Sequence, residues 1–231
     1  MSLALNRENF FWHKVHSLTG VVPVGYYMVQ HLVLNSFALA GPAYFNSVIG
    51  FFEGMPKFFL LTLEVCAIWL PLAFHAIYGI FIVSRAKNNY FESRYGWSQN
   101  RMFLLQRYSG VFIFIFLCVH VATTTLTKYA TGSADNIRFN AWSDRMHNPL
   151  WIGFYLLGVL ACSYHLAYGI WNFCIRWGIT ISESAQVKVQ KFSLVFFVAV
   201  TLIGWCAMVG FFIHPKTTEA AVMKDTAQST L

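Results

Sequence analysis

Residues 58–84 read FFLLTLEVCAIWLPLAFHAIYGIFIVS, an apolar run with one charge, Glu64, and one histidine, His75, closed by Lys57 before it and Arg85 after it. About 20 apolar residues in a helix cross a hydrocarbon core of roughly 30 Å, so this run is long enough to span a bilayer. Working outward, 15–52, 108–127, 146–175 and 192–215 contain no Asp, Glu, Lys or Arg. The 231-residue chain is 57% hydrophobic and 11% charged, against about a quarter charged in an ordinary soluble domain. The pattern predicts an all-α membrane protein, a single membrane domain over 1–231 with five transmembrane helices near 17–39, 58–84, 105–128, 149–175 and 191–213.

Basic residues flanking the spans set orientation, because they are retained on the cytoplasmic side. Arg7, Lys14, Arg85, Lys87, Arg94, Arg101, Arg107, Arg176, Lys188 and Lys191 fall on one side, ten in all; Lys57, Lys128, Arg138, Arg145, Lys216 and Lys224 make six on the other, where Glu53, Asp135, Asp144, Glu219 and Asp225 partly offset them. The expected arrangement is multi-pass in the cytoplasmic (inner) membrane, with the N-terminus cytoplasmic and the C-terminus outside. The net charge of +7 is scattered through short connections, without the dense stripe that nucleic-acid binding requires. Cys66, Cys118, Cys162, Cys174 and Cys206 all fall within the spans with no CxxC spacing, so they read as small buried apolar residues and not as iron–sulfur ligands.

Four of the eight histidines lie inside spans, one each in the first four helices: His31, His75, His120 and His165. An imidazole in hydrocarbon is costly unless it faces the bundle interior and finds a partner. Depth separates the four. His75 is ten residues before Arg85 and His165 eleven before Arg176, roughly 15–17 Å from those charges, whereas His120 and His31 sit roughly 20–25 Å from Arg107 and Lys14. The flanking residues repeat in the same pairing, Phe74-His75-Ala76-Ile77-Tyr78-Gly79-Ile80 answering Tyr164-His165-Leu166-Ala167-Tyr168-Gly169-Ile170. More weakly, Thr19-Gly20-Val21 precedes His31 as Ser109-Gly110-Val111 precedes His120. The pattern predicts two related helical hairpins, each giving one ligand to each depth. Gly79 and Gly169, four residues from a histidine, are placed either to admit a flat macrocycle or to pack helices closely. Two facing imidazoles supply both axial ligands of a haem iron and leave no open position, which favours electron transfer. Two b-type haems enclosed by four of the five helices are therefore expected.

At these residues the chain resembles the single-chain, five-helix dihaem cytochrome b subunit that anchors succinate:quinone oxidoreductases, including quinol:fumarate reductases. The likeness runs from Trp12 to about His214 and is carried by one histidine on each of the first four helices and none in the fifth. His16-Ser17-Leu18-Thr19-Gly20 and Trp177-Gly178 add to it. The resemblance implies that His75 and His165 hold a proximal haem near the cytoplasm and His31 and His120 a distal haem. It implies a flavoprotein and an iron–sulfur subunit as partners on the cytoplasmic face, with succinate oxidised on the partner. Electrons would run through both haems to a membrane quinone, expected to be menaquinone, which makes this chain the quinone-reactive subunit of the enzyme.

In such relatives a glutamate in the first outer connection serves quinone chemistry, and Phe51-Phe52-Glu53, twenty-two residues after His31, resembles that element. Glu53 is a candidate proton relay; its ordinary alternative is a solvated charge balancing Lys57. Glu64 is a second candidate, whose alternative is snorkelling to the interface. His16, Ser17, Arg85, Arg107 and Arg176 gather at the inner boundary as candidate haem-propionate donors, arginine being well suited to carboxylates. Dihaem fumarate reductases carry a glutamate two residues before the fourth haem histidine, where this chain has Ser163, a departure that points towards succinate oxidation. Ser163 itself reads as a hydroxyl bonded to a backbone carbonyl of its own helix. Two other functions fit an intramembrane histidine set: a dihaem anchor of a formate dehydrogenase or hydrogenase, and a proton-coupled transporter.

Overall fold

The computed structural model describes residues 2–85 and 98–216. Lys87, Arg94, Glu219, Lys224 and Asp225, which entered the charge count, lie outside the described residues. Among the described residues the regular secondary structure is all helical, with short turns between the helices. Within hydrocarbon every backbone N–H and C=O must be satisfied inside the segment, and helices do this. Four helices are long and apolar enough to cross a membrane: Lys57–Arg85, Asn100–Thr131, Pro149–Arg176 and Glu183–Ile213. They are called here the second to fifth long helices. The first runs without interruption over 2–35 and is less apolar, its outer half carrying Gln30, His31 and Asn35.

The chain marks the helix ends chemically. Asn148 caps the fourth long helix, its side chain accepting from Leu150 N (2.9 Å) and Trp151 N (3.3 Å), with Pro149 in the first turn; proline lacks the N–H that would be orphaned there. Ser182 caps the fifth by accepting from Ala185 N. Gly132 and Gly178, at φ 68° and 70°, follow the third and fourth long helices in the left-handed conformation that glycine adopts without steric cost. The Trp177-Gly178 pair is thus a helix stop whose indole Nε1–H donates to Ser17 Oγ at 3.1 Å, tying the fourth helix to the first.

The connections at the opposite end of the bundle are not plain loops. Pro42–Glu53 and Phe139–His147 each form a short helix, and Phe139 N donates to Asn46 Oδ1 (3.0 Å) to join them. Between them and the fifth helix lies the main buried cluster, with Ala38, Phe45, Phe139, Trp142, Met146 and Phe211. Along the bundle sides apolar side chains face outward, Ile77 of the second long helix and Val195 of the fifth each being 69% exposed, as expected where lipid is the solvent. This corrects the expectation for the cysteines: Cys66, Cys118 and Cys206 are exposed and Cys162 and Cys174 half-buried, all as free thiols. In a membrane bundle an apolar residue gains as much from facing lipid as from the interior, so apolarity alone does not bury it.

The fifth helix docks on the segment Ser36–Ala40 through Gly210. A Cβ there would meet the Ala38 carbonyl carbon at 2.4 Å and Leu39 N at 2.5 Å, both backbone atoms that cannot rotate away. Gly210→Ala should therefore lower the thermal midpoint of the purified protein in detergent, by the equivalent of about 1–3 kcal/mol for overpacking. Gly153→Ala, where a Cβ meets nothing within 4 Å, should leave the midpoint unchanged or raise it slightly.

Candidate metal centres

The four intramembrane histidines come together as two pairs. His75 and His165 have ring centres 6.2 Å apart, and His31 and His120 5.9 Å apart. An imidazole nitrogen binds a first-row metal at about 2.0–2.1 Å, so two rings on opposite sides of one ion have centres roughly 6 Å apart. Both pairs have that separation. Among the described residues no group of three or more His, Cys, Asp or Glu side chains converges, so each donor set is a pair of imidazoles.

The first pair is oriented by backbone carbonyls. His75 Nδ1–H donates to the carbonyl of His16 at 2.9 Å, and His165 Nδ1–H to that of Gln106 at 3.1 Å, with Ser109 Oγ 3.2 Å from the same nitrogen. A helix carbonyl already accepts from its own helix, but its second lone pair is usually shielded by the side chain four residues on. Here those residues are Gly20 and Gly110. A Cβ on Gly20 would strike His75 Cε1 at 2.3 Å, and one on Gly110 would meet His165 Cε1 at 3.1 Å. The glycine uncovers the carbonyl, the carbonyl fixes the tautomer, and Nε2 is left for a metal, the usual arrangement of a ligating histidine. Gly79 and Gly169 work in the reverse direction: Gly169 lies beside Gln106 Nε2 (3.7 Å from its ideal Cβ), which donates to the His165 carbonyl at 3.0 Å, and Gly79 lies beside His16 Nε2 at 3.3 Å. Their neighbours across the helix pair are thus His16 and Gln106.

The second pair is oriented by side chains. His120 Nδ1 is hydrogen-bonded to Tyr155 Oη at 3.2 Å, and its ring stacks on Phe116 and lies 6.1 Å from Trp142. Tyr27 stacks on His31 at 5.5 Å. Composition and spacing left Tyr155, Trp142 and Arg145 unassigned. Arg145, counted above as one more charge of the second side, is half-buried: its Nη2–H donates to the Thr123 carbonyl (3.0 Å) and its cation lies 4.7 Å from the Trp142 ring centre, while Nη1 is buried with no hydrogen-bond partner. Asn136 donates to the Thr123 and Thr124 carbonyls and keeps a buried Oδ1 without a partner. Burial pushes the Arg145 guanidinium below its usual range, a cost that an anionic neighbour would remove. A single charge between two spans looks alike whether it faces water or a pocket, so no sequence signal marked it.

Among the proposed boundary residues, His16 stacks on His75 with ring centres 4.1 Å apart and has a buried, unpartnered Nε2. Ser17 accepts from Trp177, and Arg176 donates to the His13 carbonyl at 3.1 Å. Arg85 and Arg107 lie over Phe81 and Phe103 of their own helices, at 4.0 and 3.9 Å. Glu53 pairs with Arg138 at 2.8 Å and not with Lys57. Glu64 is held from the third helix, Tyr129 Oη–H donating to it at 2.7 Å. Ser163 is fully buried but makes no carbonyl bond. His147 and His214 have structural partners, the carbonyls of Ser143 and Leu39.

Paired, pre-oriented imidazoles within a helical membrane bundle are a donor arrangement suited to a b-type cytochrome. Residues 87–214 match the family described as succinate dehydrogenase/fumarate reductase transmembrane subunit, and the chain is 38% identical over 206 residues to the succinate dehydrogenase cytochrome b558 subunit of Bacillus subtilis (strain 168), covering 89% of this chain and 98% of that relative. The chain belongs to this family, as a membrane-anchoring cytochrome b subunit of succinate dehydrogenase/fumarate reductase. Gly20→Ala, which drives a methyl into His75, should lower haem b per chain in a pyridine haemochrome assay, with Gly153→Ala as the unaffected control.

Proposed function

We propose that this subunit binds two haems b, one between His75 and His165 and one between His31 and His120, and passes electrons from a cytoplasmic iron–sulfur and flavoprotein pair to a membrane quinone, menaquinone by expectation. The observation that carries the reading is the roughly 6 Å separation of both imidazole pairs, 6.2 and 5.9 Å. A bis-histidine haem b supplies reversible one-electron transfer without an open coordination site. The chain's own residues would hold and orient it: the His16 and Gln106 carbonyls and Tyr155 fix the imidazoles, and His16, Arg176 and Ser17, whose O–H here donates to the Lys14 carbonyl at 2.8 Å, are the candidate donors to propionates at the proximal end. Arg85 and Arg107 are further candidates there. At the distal end the buried, unpartnered Nη1 of Arg145 favours a propionate carboxylate as its partner.

The first helix is the fifth span in this reading, which puts the N-terminus on the cytoplasmic side and the C-terminus outside, supported by the ten-to-six distribution of Lys and Arg. Ser163, in place of a glutamate, favours succinate oxidation as the working direction. Quinone reduction consumes two protons, and Glu53, at the end of the Pro42–Glu53 helix beyond the distal pair, would relay them. Glu64 with its Tyr129 partner is the second candidate.

Three measurements test this. A pyridine haemochrome assay should give two haems b per chain. Redox titration of the α-band should show His75→Ala and His165→Ala losing one component and His31→Ala and His120→Ala the other; if His31→Ala and His75→Ala lost the same component, the pairing would be wrong. Glu53→Gln in the assembled complex should keep both haems and succinate-driven dye reduction but lose quinone turnover by about 10²–10⁴-fold, the usual cost of a lost general acid or base. Arg138→Gln, which removes only the exposed ion pairs to Glu53 and Asp135, each worth about 0–1 kcal/mol, should retain turnover. Equal loss of dye and quinone activity in Glu53→Gln would mark an assembly defect and count against the relay.

A further inference from the structure

The two histidine hairpins differ by one residue. His75 takes the carbonyl 59 residues before it, that of His16, and His165 takes the carbonyl 59 residues before it, that of Gln106. Gly20 and Gly110 lie against those same rings. The two glycines are therefore equivalent positions, 90 residues apart in sequence. Yet His31 follows Gly20 by eleven residues, whereas His120 follows Gly110 by ten. In an unbroken α-helix one residue turns the side chain by about 100°. Ten residues bring His120 about 80° round from Gly110, towards the second pair; eleven would bring His31 to within about 20° of Gly20, towards His75. The structure nevertheless has His31 facing His120 at 5.9 Å.

The difference is taken up in the π-helical turn Gly20–Gly25, which lies inside the eleven-residue interval. The corresponding stretch from Gly110 to His120 is regular α-helix. A single π turn is one residue inserted into an α-helix, the amount by which the two intervals differ. The local sequence suits it. Pro23, within the turn, has no N–H to donate and its ring would press on the carbonyl four residues before in a regular helix. Gly25 permits the widened turn to sit close, a Cβ there meeting the Gly20 carbonyl oxygen at 3.0 Å and Leu166 Cδ1 of the fourth helix at 2.5 Å. We infer that the Gly20–Gly25 turn is a register device: it lets one helix present Gly20 to His75 and His31 to His120 at once, and Pro23 is its positioning residue. The inference rests on the dihaem reading above.

Deletion of Pro23 is the test, with deletion of Ile113, its counterpart 90 residues on, as the comparison. Removing the inserted residue should close the turn to regular α-helix and leave His31 facing His120, so both α-band components persist in the redox titration. The Ile113 deletion has no bulge to absorb it; it should turn His120 by about 100° and lose the distal component while keeping the proximal one. The Pro23 deletion combined with His31→Leu and Leu32→His should lack the distal component. Loss of that component in the Pro23 deletion, alone or together with the proximal one, overturns the inference, as does its presence in the combined variant. Fewer than two components in the unaltered protein would instead refute the dihaem reading.

Discussion

The bond from His75 Nδ1 to the His16 carbonyl, and its counterpart from His165 to Gln106, set the terms for the rest of the bundle. A neutral imidazole has one donor and one acceptor nitrogen, and in hydrocarbon neither can be left to water. Giving Nδ1–H to a neighbouring helix satisfies the donor and aims the acceptor inward. Each bond also fastens one helix of a hairpin to the other, first to second and third to fourth. The glycines at 20 and 110 follow from this, because the carbonyl can be reached only where no Cβ covers it.

The opposite end is built on a different principle. His31 and His120 sit too far along their helices to borrow those carbonyls, and their surroundings are aromatic: Tyr27, Phe116, Trp142 and Tyr155. The short Phe139–His147 helix folds over them and carries Trp142 and Arg145 inward. This is also where the largest buried cluster lies, so the end of the molecule with the most protein packing surrounds the second pair. Around the first pair the fourth helix buries Leu166, Ala167, Tyr168 and Trp171, and single hydrogen bonds to carbonyls set the imidazoles. Polar groups without partners collect at both ends, His16 Nε2 at one and Arg145 Nη1 with Asn136 Oδ1 at the other.

Much of this was legible in the sequence because it depends on local counts. Apolar run length marked the four helices long and apolar enough to cross a membrane, and the cost of intramembrane imidazole singled out His31, His75, His120 and His165 from the eight histidines. Their distances from the flanking arginines and lysines sorted them by depth, since rise per residue in a helix is constant. The resemblance between 74–80 and 164–170 showed that two hairpins share one plan.

Rotation about the helix axis and contacts across helices needed the tertiary structure. Composition made Arg145 a flanking charge and the five cysteines interior residues, and offered Lys57 as the charge Glu53 would balance if it were no relay; only the folded chain shows a half-buried guanidinium, three outward-facing thiols and the Glu53–Arg138 pair. The one-residue difference between Gly20–His31 and Gly110–His120 is plain in the sequence but has no meaning there, because a π turn conserves neither the count nor the angle of an α-helix. Depth is a sum along the chain and can be read from residues alone. Facing is a relation between helices, and it is decided by which carbonyl is uncovered and where the helix is widened.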